Sequence, residues 1–248
     1  MSGHSKWATI KHKKGAADKA RAKVFNKIAR QLEVAAREGG PDPTSNASLR
    51  NVILKAKAAQ MTNDAIDRAV KRGAGVNDGG NYETIMYEGY APGGVAMLID
   101  VLTDNRNRSG SDVRSTFTKR GGSMAEPGAV AWQFDRKGVL AVDGAADEDE
   151  LMLAAIDAGA EDIVKEGDVW RVTTGPADLH AVRTAIEEAG IKVESGDLAM
   201  VAQNLVSVDE KGSAKKILDL IDALEDLDDV QDVYGNFDLP DAVLAELA

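Results

Sequence analysis

Cysteine is absent from this 248-residue chain. That excludes disulfides, zinc sites built on cysteine spacing, thiol catalysis and iron–sulfur ligation together, and it fits a reducing compartment. Aromatic residues are scarce at 4%, so the cores must be built from Ala, Val, Leu and Ile. No apolar run approaches the roughly 18 residues of a membrane span. The opening Met1-Ser2-Gly3-His4-Ser5-Lys6 is not followed by the apolar stretch of a secretory signal. The expectation is a cytoplasmic protein with no membrane partner. Hydrophobic content of 44% is ordinary for a globular chain, and the length suits one large domain or two to three small ones.

Recognisable catalytic motifs are missing as well. Gly73-Ala74-Gly75 resembles the start of a dinucleotide loop, but it follows a helical pattern and lacks the third glycine. No Gly-x-Ser-x-Gly elbow occurs, and no nucleophile, base and orienter can be written down with roles. Of the three histidines, His4 and His12 lie in a basic stretch that suits phosphate contact, and His180 has no second ligand nearby. Asp147-Glu148-Asp149-Glu150 reads as the acidic first turn of a helix rather than a metal cluster. Glu225-Asp226-Leu227-Asp228-Asp229 reads as a solvated helix end. No catalytic residue, metal, cofactor or small-molecule substrate is expected.

What the chain does have is an uneven distribution of charge. Residues 1–30 hold nine Lys/Arg and one acid, in a chain whose net charge is −11. Residues 1–75 carry +10 and residues 76–248 carry −21. A basic module joined to an acidic body points to a nucleic-acid partner for the basic end. The alternative is a solvated Lys-rich tail.

Hydrophobic periodicity predicts a helix over 18–37. Advancing about 100° per residue from Lys19, the residues Lys23, Lys27, Arg30 and Arg37 fall within roughly 80° of it. Val24, Ile28, Leu32 and Ala35 lie opposite. Gly39-Gly40-Pro41 ends this helix. A second helix starts near Ser45 or Asn46, with Arg50, Lys55 and Lys57 off its core face. A third is N-capped by Thr62 and closed by Gly73. Together they make a small three-helix bundle over 1–75. Beyond a Gly/Asn/Asp-rich linker come strands at 83–90 and 95–103 around the turn signal Ala91-Pro92-Gly93-Gly94, a helix near 110–120 and a strand at 129–135. From 138 to about 203 the order is β-α-β-β-α-β, that of a ferredoxin-like domain. A helix at 211–225 and a strand at 230–235 remain. The fold class is therefore α+β and multidomain: a bundle plus two α/β domains. The middle domain, 81–136 with 204–238, is discontinuous, and 137–203 is inserted into it.

Two clusters stand out as candidate nucleic-acid contacts. The first is Lys6, Trp7, Lys11, His12, Lys13, Lys14, Lys19, Lys23, Lys27 and Arg30. Its cations suit phosphate, and Trp7 either stacks on a base or packs against the bundle. The second is Asn105, Arg106, Asn107 and Arg108 between a strand and a helix. Arginine can grip phosphate bidentately and asparagine can cap a helix or read a base edge. A plain strand-to-helix loop is the competing reading. The segment Tyr87–Gly94 reads as an exposed hairpin tip, at the end of the hairpin opposite Asn105–Arg108.

These stretches resemble the YebC/PmpR family, which includes the mitochondrial translational activator of cytochrome oxidase. The matching residues are Gly3-His4-Ser5-Lys6-Trp7, Tyr87-Glu88-Gly89-Tyr90-Ala91-Pro92-Gly93-Gly94, and Leu102-Thr103-Asp104-Asn105-Arg106-Asn107-Arg108. Val113-Arg114, Phe117 and Gly121-Gly122 also match, so the resemblance spans essentially the whole chain. Ala91 departs from an expected glycine, and Ser123-Met124-Ala125-Glu126 from a more Gly/Leu-like stretch. The resemblance implies three domains and no enzymatic activity. It implies a DNA-binding transcriptional regulator or, alternatively, a ribosome-associated factor that binds rRNA and assists translation.

Overall fold

The computed structural model describes residues 18–75 and 82–247. It begins with three helices, α1 (Asp18–Gly39), α2 (Ala47–Ala58) and α3 (Asn63–Ala74). The cap expected at Thr62 forms, accepting from the Ala65 N–H, and Asn46, one of the two expected start positions of the second helix, accepts from the Leu49 N–H. Asn46 also donates to Ala35 O at 2.7 Å and Gly40 O at 2.8 Å, so one buried amide starts α2 and ties down the end of α1. Ile28, Leu32, Leu49, Ala56 and Ile66 form the core. Gly73 does not close α3 but lies inside it, where a Cβ would collide with the Glu33 backbone. Val24, expected to face inward, is 44% exposed. The reason is length: α1 has 22 residues and its two partners 12 each, so its amino-terminal end overhangs them.

The central sheet has the order β3 (Ser123–Ala125), β1 (Glu83–Ala91), β2 (Val95–Thr103), β9 (Val230–Gly235). Strands β1 (Glu83–Ala91) and β2 (Val95–Thr103) pair without a break from Glu83↔Thr103 to Ala91↔Val95. This narrows the expected loop: residues 87–91 belong to the strand, and the tip is Pro92–Gly94, with Gly93 and Gly94 at φ 85 and 78°. Ala91 is buried. The short β3 (Ser123–Ala125) flanks β1, and β9 (Val230–Gly235) pairs with β2. One face packs on α4 (Arg106–Lys119) and α7 (Lys211–Glu225) through Met97, Ile99, Phe117, Ile217 and Leu220. At Gly89 a Cβ would press on the Phe117 ring at 2.6 Å, so the absence of a side chain lets α4 approach. The other face, with Ala96, Leu98 and Tyr234, is covered by Val130 and Phe134. Burial on both faces explains why β2 is almost continuously apolar.

The second sheet comprises β4 (Phe134–Asp143), β5 (Ala160–Glu166), β6 (Val169–Thr174) and β7 (Val193–Ala202), backed by α5 (Glu148–Asp157) and α6 (Leu179–Glu188). Its order β5-β6-β4-β7, antiparallel throughout, is the ferredoxin-like arrangement. A two-stranded parallel sheet, β8 (Val206–Ser207) with β10 (Phe237–Asp238), and α8 (Asp241–Leu247) complete the chain. These three elements and β3 are too short to leave a periodic signal.

The strand expected at 129–135 is replaced by a 3-10 turn at Ala131–Gln133, and β4 begins only at Phe134. The cause is the Glu88 carboxylate, which accepts the N–H groups of Gly128, Val130 and Ala131 at 2.5, 2.6 and 2.8 Å. Those donors are then unavailable to a neighbouring strand. Burial opposes the charge on Glu88, but the three N–H donors outweigh it and hold its pKa below the usual value.

Candidate nucleic-acid interface

Of the sequence-selected residues, Lys6, Trp7, Lys11, His12, Lys13 and Lys14 lie outside the described residues. Lys19 lies in the first turn of α1. Lys23, Lys27 and Arg30 do share one face of α1, as their spacing requires, and that face rests on the carboxyl-terminal end of α7. Lys23 Nζ lies 3.0 Å from Asp226 Oδ1, Lys27 Nζ donates to Glu225 O at 2.6 Å, and Arg30 Nη1 donates to Asp228 O at 3.1 Å. Carbonyls at a helix carboxyl terminus carry the negative end of its dipole, so cations belong there. Burial lowers the pKa of Lys27, against the attraction of Glu225 and Asp232. The acidic run Glu225–Asp229 is therefore not simply a solvated helix end; it is the seat of the basic stripe.

Asp229 is the centre of this contact. Its Oδ2 accepts from Ser109 Oγ at 2.7 Å, Arg108 Nη2 at 2.8 Å and Thr103 Oγ1 at 3.1 Å, and its Oδ1 accepts from Arg30 Nη1 at 3.0 Å. Burial alone would raise its pKa; the bonds from Arg108, Ser109 and Thr103 win and lower it. The two clusters chosen separately from the sequence thus meet, with Arg30 and Arg108 on one carboxylate. Nothing in the local sequence marks Asp229. The only signal is an acidic run in a chain that also holds a basic helix face.

The Asn105–Arg108 motif divides into two halves. It is no loop: Asn105 is the N-cap of α4, accepting from the Arg108 N–H at 3.1 Å, and the other three form the first turn. Arg108 is held by Asp229 and, at 2.8 Å, by Asp104. Arg106 and Asn107 are exposed, with Arg106 only 3.9 Å from Glu83. Tyr87 Oη donates to Arg106 O at 3.2 Å, which ties the middle of β1 to the first turn of the helix. A cleft of about 590 Å³ lies between α1 and α4, lined by Lys23, Arg30, Tyr82, Asp104, Arg108 and Asp112 among others.

A second junction joins all three bodies. Lys55, expected on an outer face of α2, reaches Asp197 of β7 at 2.7 Å and Asp232 of β9 at 3.6 Å. Burial disfavours its charge, but Asp232 and Asp197 prevail and raise its pKa. Asp100 stands directly opposite Asp232 in the β2–β9 pair, and its Oδ1 is buried with no hydrogen-bond partner. Burial, then Asp232, pushes its pKa up to about 6. An acid raised in the folded state binds its proton more tightly there than when unfolded. Its ionised form therefore costs stability above pH 6, and the cost disappears as the pH falls toward the ordinary aspartate value near 4. Asp100→Asn is expected to stabilise the protein at pH 7.5 by up to about 3 kcal/mol, with the gain vanishing by about pH 4. Urea midpoints of parent and variant across that range test this; a gap that does not change with pH would refute it.

Among the described residues, no helix is long and apolar enough to cross a membrane, and no group of three or more His, Cys, Asp or Glu is placed to hold a metal ion.

Comparison with known proteins agrees with this architecture. Residues 5–76 match a model described as the TACO1/YebC protein N-terminal domain, and residues 82–237 one described as the TACO1/YebC second and third domain. A protein from Rubrobacter xylanophilus named "Probable transcriptional regulatory protein" is 55% identical over 250 residues, covering 100% of both chains. One of the same name from Halothermothrix orenii is 52% identical, covering 100% of this chain and 99% of its own. The crystal structure of a conserved hypothetical protein, Aq1575, from Aquifex aeolicus superposes with a TM-score of 0.82 at 42% identity, over 89% of this chain and 91% of that one. With both models matched in succession and relatives aligned end to end, the chain belongs to the TACO1/YebC family.

Proposed function

We propose that this protein is a non-enzymatic regulator of gene expression that holds a nucleic acid by phosphate contact, chiefly through its basic amino-terminal module. The observation that carries the reading is the +10 charge of residues 1–75 beside −21 in the remainder. Its working parts are a bundle over 1–75, a discontinuous middle body over 81–136 with 204–238, and an inserted ferredoxin-like body over 137–203. The relatives' name supports DNA and transcription. Two carboxylates in the family-like stretches are engaged internally, which supports the absence of enzymatic activity: Asp104 pairs with Arg108, and Glu88 is committed to three backbone N–H groups. A second reading, binding of ribosomal RNA to assist translation, is favoured by one feature. Asn105 and Arg108, at the helix terminus best suited to enter a DNA groove, are both engaged internally.

Removal of residues 1–17 tests the proposal and leaves every contact described above intact. Those residues hold Lys6, Lys11, Lys13 and Lys14 and no acid. The truncated chain is expected to lose most of its affinity for duplex DNA or structured RNA. Its salt slope should fall by roughly 3 to 4 on duplex DNA, at about 0.9 per phosphate neutralised. Undiminished binding by the truncated chain would overturn the proposal. Sedimentation of a cell extract, followed by crosslinking and sequencing of the bound nucleic acid, separates the two targets. Ribosomal co-migration with rRNA crosslinks excludes the transcription reading, and promoter-DNA crosslinks without ribosomes exclude the translation reading.

A further inference from the structure

Residues 106–120, which form α4 and its C-cap, hold five of the fourteen Lys/Arg found in 76–248 and only one acid, Asp112. This is a net +4 within a stretch of −21. Two of the five are spoken for: Arg108 by Asp229 and Asp104, and Arg106 loosely by Glu83. The other three, Arg114, Lys119 and Arg120, are exposed and make no ion pair among the described residues. Elsewhere in this carboxylate-rich body, Lys137, Arg171 and Arg183 do find an acidic partner.

The rest of the helix surface is equally selective. Ser109, Val113 and Phe117 are buried against the sheet. Advancing about 100° per residue, Asn107, Ser111, Arg114 and Thr118 then fall within roughly 60° of one another on the side away from it, and all four are exposed. Ser115 and Lys119 flank them. Two hydroxyls, an amide and one unpaired cation, Arg114, make up that face, and these are groups that hydrogen-bond to phosphate and sugar oxygens. Asp112, the one acid, instead lines the cleft that Lys23 and Arg30 border from the other side. The side of α4 that carries Arg108 and Asp112, between its outer face and the sheet, thus borders α1 across that cleft.

We propose that the outer face and carboxyl-terminal end of α4, with Arg114 on that face, Lys119 at its border and Arg120 at the C-cap as the charged groups, form a second contact surface for the sugar–phosphate backbone of a nucleic acid. It rests on the reading of the protein as a nucleic-acid binder and extends the contact from the bundle to the middle body. The surface supplies grip and register rather than base recognition.

The test is a full-length triple variant, Arg114→Gln, Lys119→Gln and Arg120→Gln, titrated against labelled duplex DNA and labelled structured RNA over a series of salt concentrations. The exposed, unpaired positions leave the urea midpoint unchanged. Affinity is expected to fall about tenfold or more near 0.1 M salt, and the salt slope by about 2 to 3. The arm that responds identifies the polymer. A charge-preserving variant, Arg114→Lys, Lys119→Arg and Arg120→Lys, is expected to bind as the parent does. A control removing the same charge from the ferredoxin-like body, Lys137→Gln, Lys165→Gln and Lys192→Gln, is expected to lose much less. If the α4 variant binds like the parent while the chain lacking residues 1–17 does not, the α4 surface is refuted and the nucleic-acid reading stands. Equal losses in the α4 variant and the control refute it too, since net charge alone then accounts for the effect. If the parent shows no salt-dependent binding to either polymer, both proposals fall together.

Discussion

Asp229→Ala is expected to destabilise the protein by about 3 kcal/mol or more, because it strips a largely buried carboxylate from four donors at once. Arg30 comes from the bundle, Arg108 and Ser109 from α4, and Thr103 from the end of β2. Without the carboxylate, the buried Thr103 and Ser109 hydroxyls lose their shared acceptor, and two guanidinium groups remain with less countercharge. Asp229→Asn keeps an acceptor and loses the charge, so its cost should be intermediate. Urea unfolding measures both; an Ala variant within 1 kcal/mol of the parent would show that the four bonds add little. The pH dependence carries a definite sign. Asp229 has a lowered pKa in the folded state. Its stabilisation is therefore present above the ordinary aspartate value near 4 and is lost as the pH falls through the lowered one. This is the reverse of Asp100, so acidification weakens one junction while it relaxes the other.

Glu88→Ala is expected to be comparably severe, at about 3 to 5 kcal/mol, since each buried N–H left without an acceptor costs about 1 to 3 and some regain water. Glu88 is 6% exposed and holds Gly128, Val130 and Ala131. Glu88→Gln should recover only part of the loss, because its NH₂ end faces donors. Hydrogen exchange is the direct readout: the Val130 and Ala131 amides should change from protected to fast in the Ala variant. If they stay protected, another group holds this segment. Val130 shares a buried cluster with Phe134 and Leu98, so releasing it should also loosen the first residues of β4.

What the sequence made legible is what depends on near neighbours. Asn46 and Thr62 cap helices through bonds that span three residues. The 83–103 hairpin is announced by two apolar-rich runs around a Pro-Gly-Gly turn, and 138–203 by the alternation of periods. The error at 129–135 has a different origin. An apolar strand pattern was present, but a carboxylate some forty residues upstream took the donors that pairing would have used. Charge behaves in the same way. Helical periodicity places Lys23, Lys27 and Arg30 on one face; it carries no information about what that face meets. Their partners lie about two hundred residues away, and a contact at that separation leaves no periodic trace. The basic stripe was legible as a stripe, and its docking on α7 was not.

The pairing of β2 with β9 also dictates an order of events during synthesis. Met97–Val101 must wait for Val230–Gly235, about 130 residues later. At 5 to 20 residues per second this is a delay of roughly 6 to 26 s. Through that interval β2 presents an apolar edge with neither its neighbour nor α7 in place, the kind of edge that invites pairing with another nascent chain. The ferredoxin-like body, whose strands all lie within residues 134–202, can complete its own sheet inside the gap. The bundle, whose core lies within residues 28–69, and the insert can therefore both form before the central sheet is completed by β9.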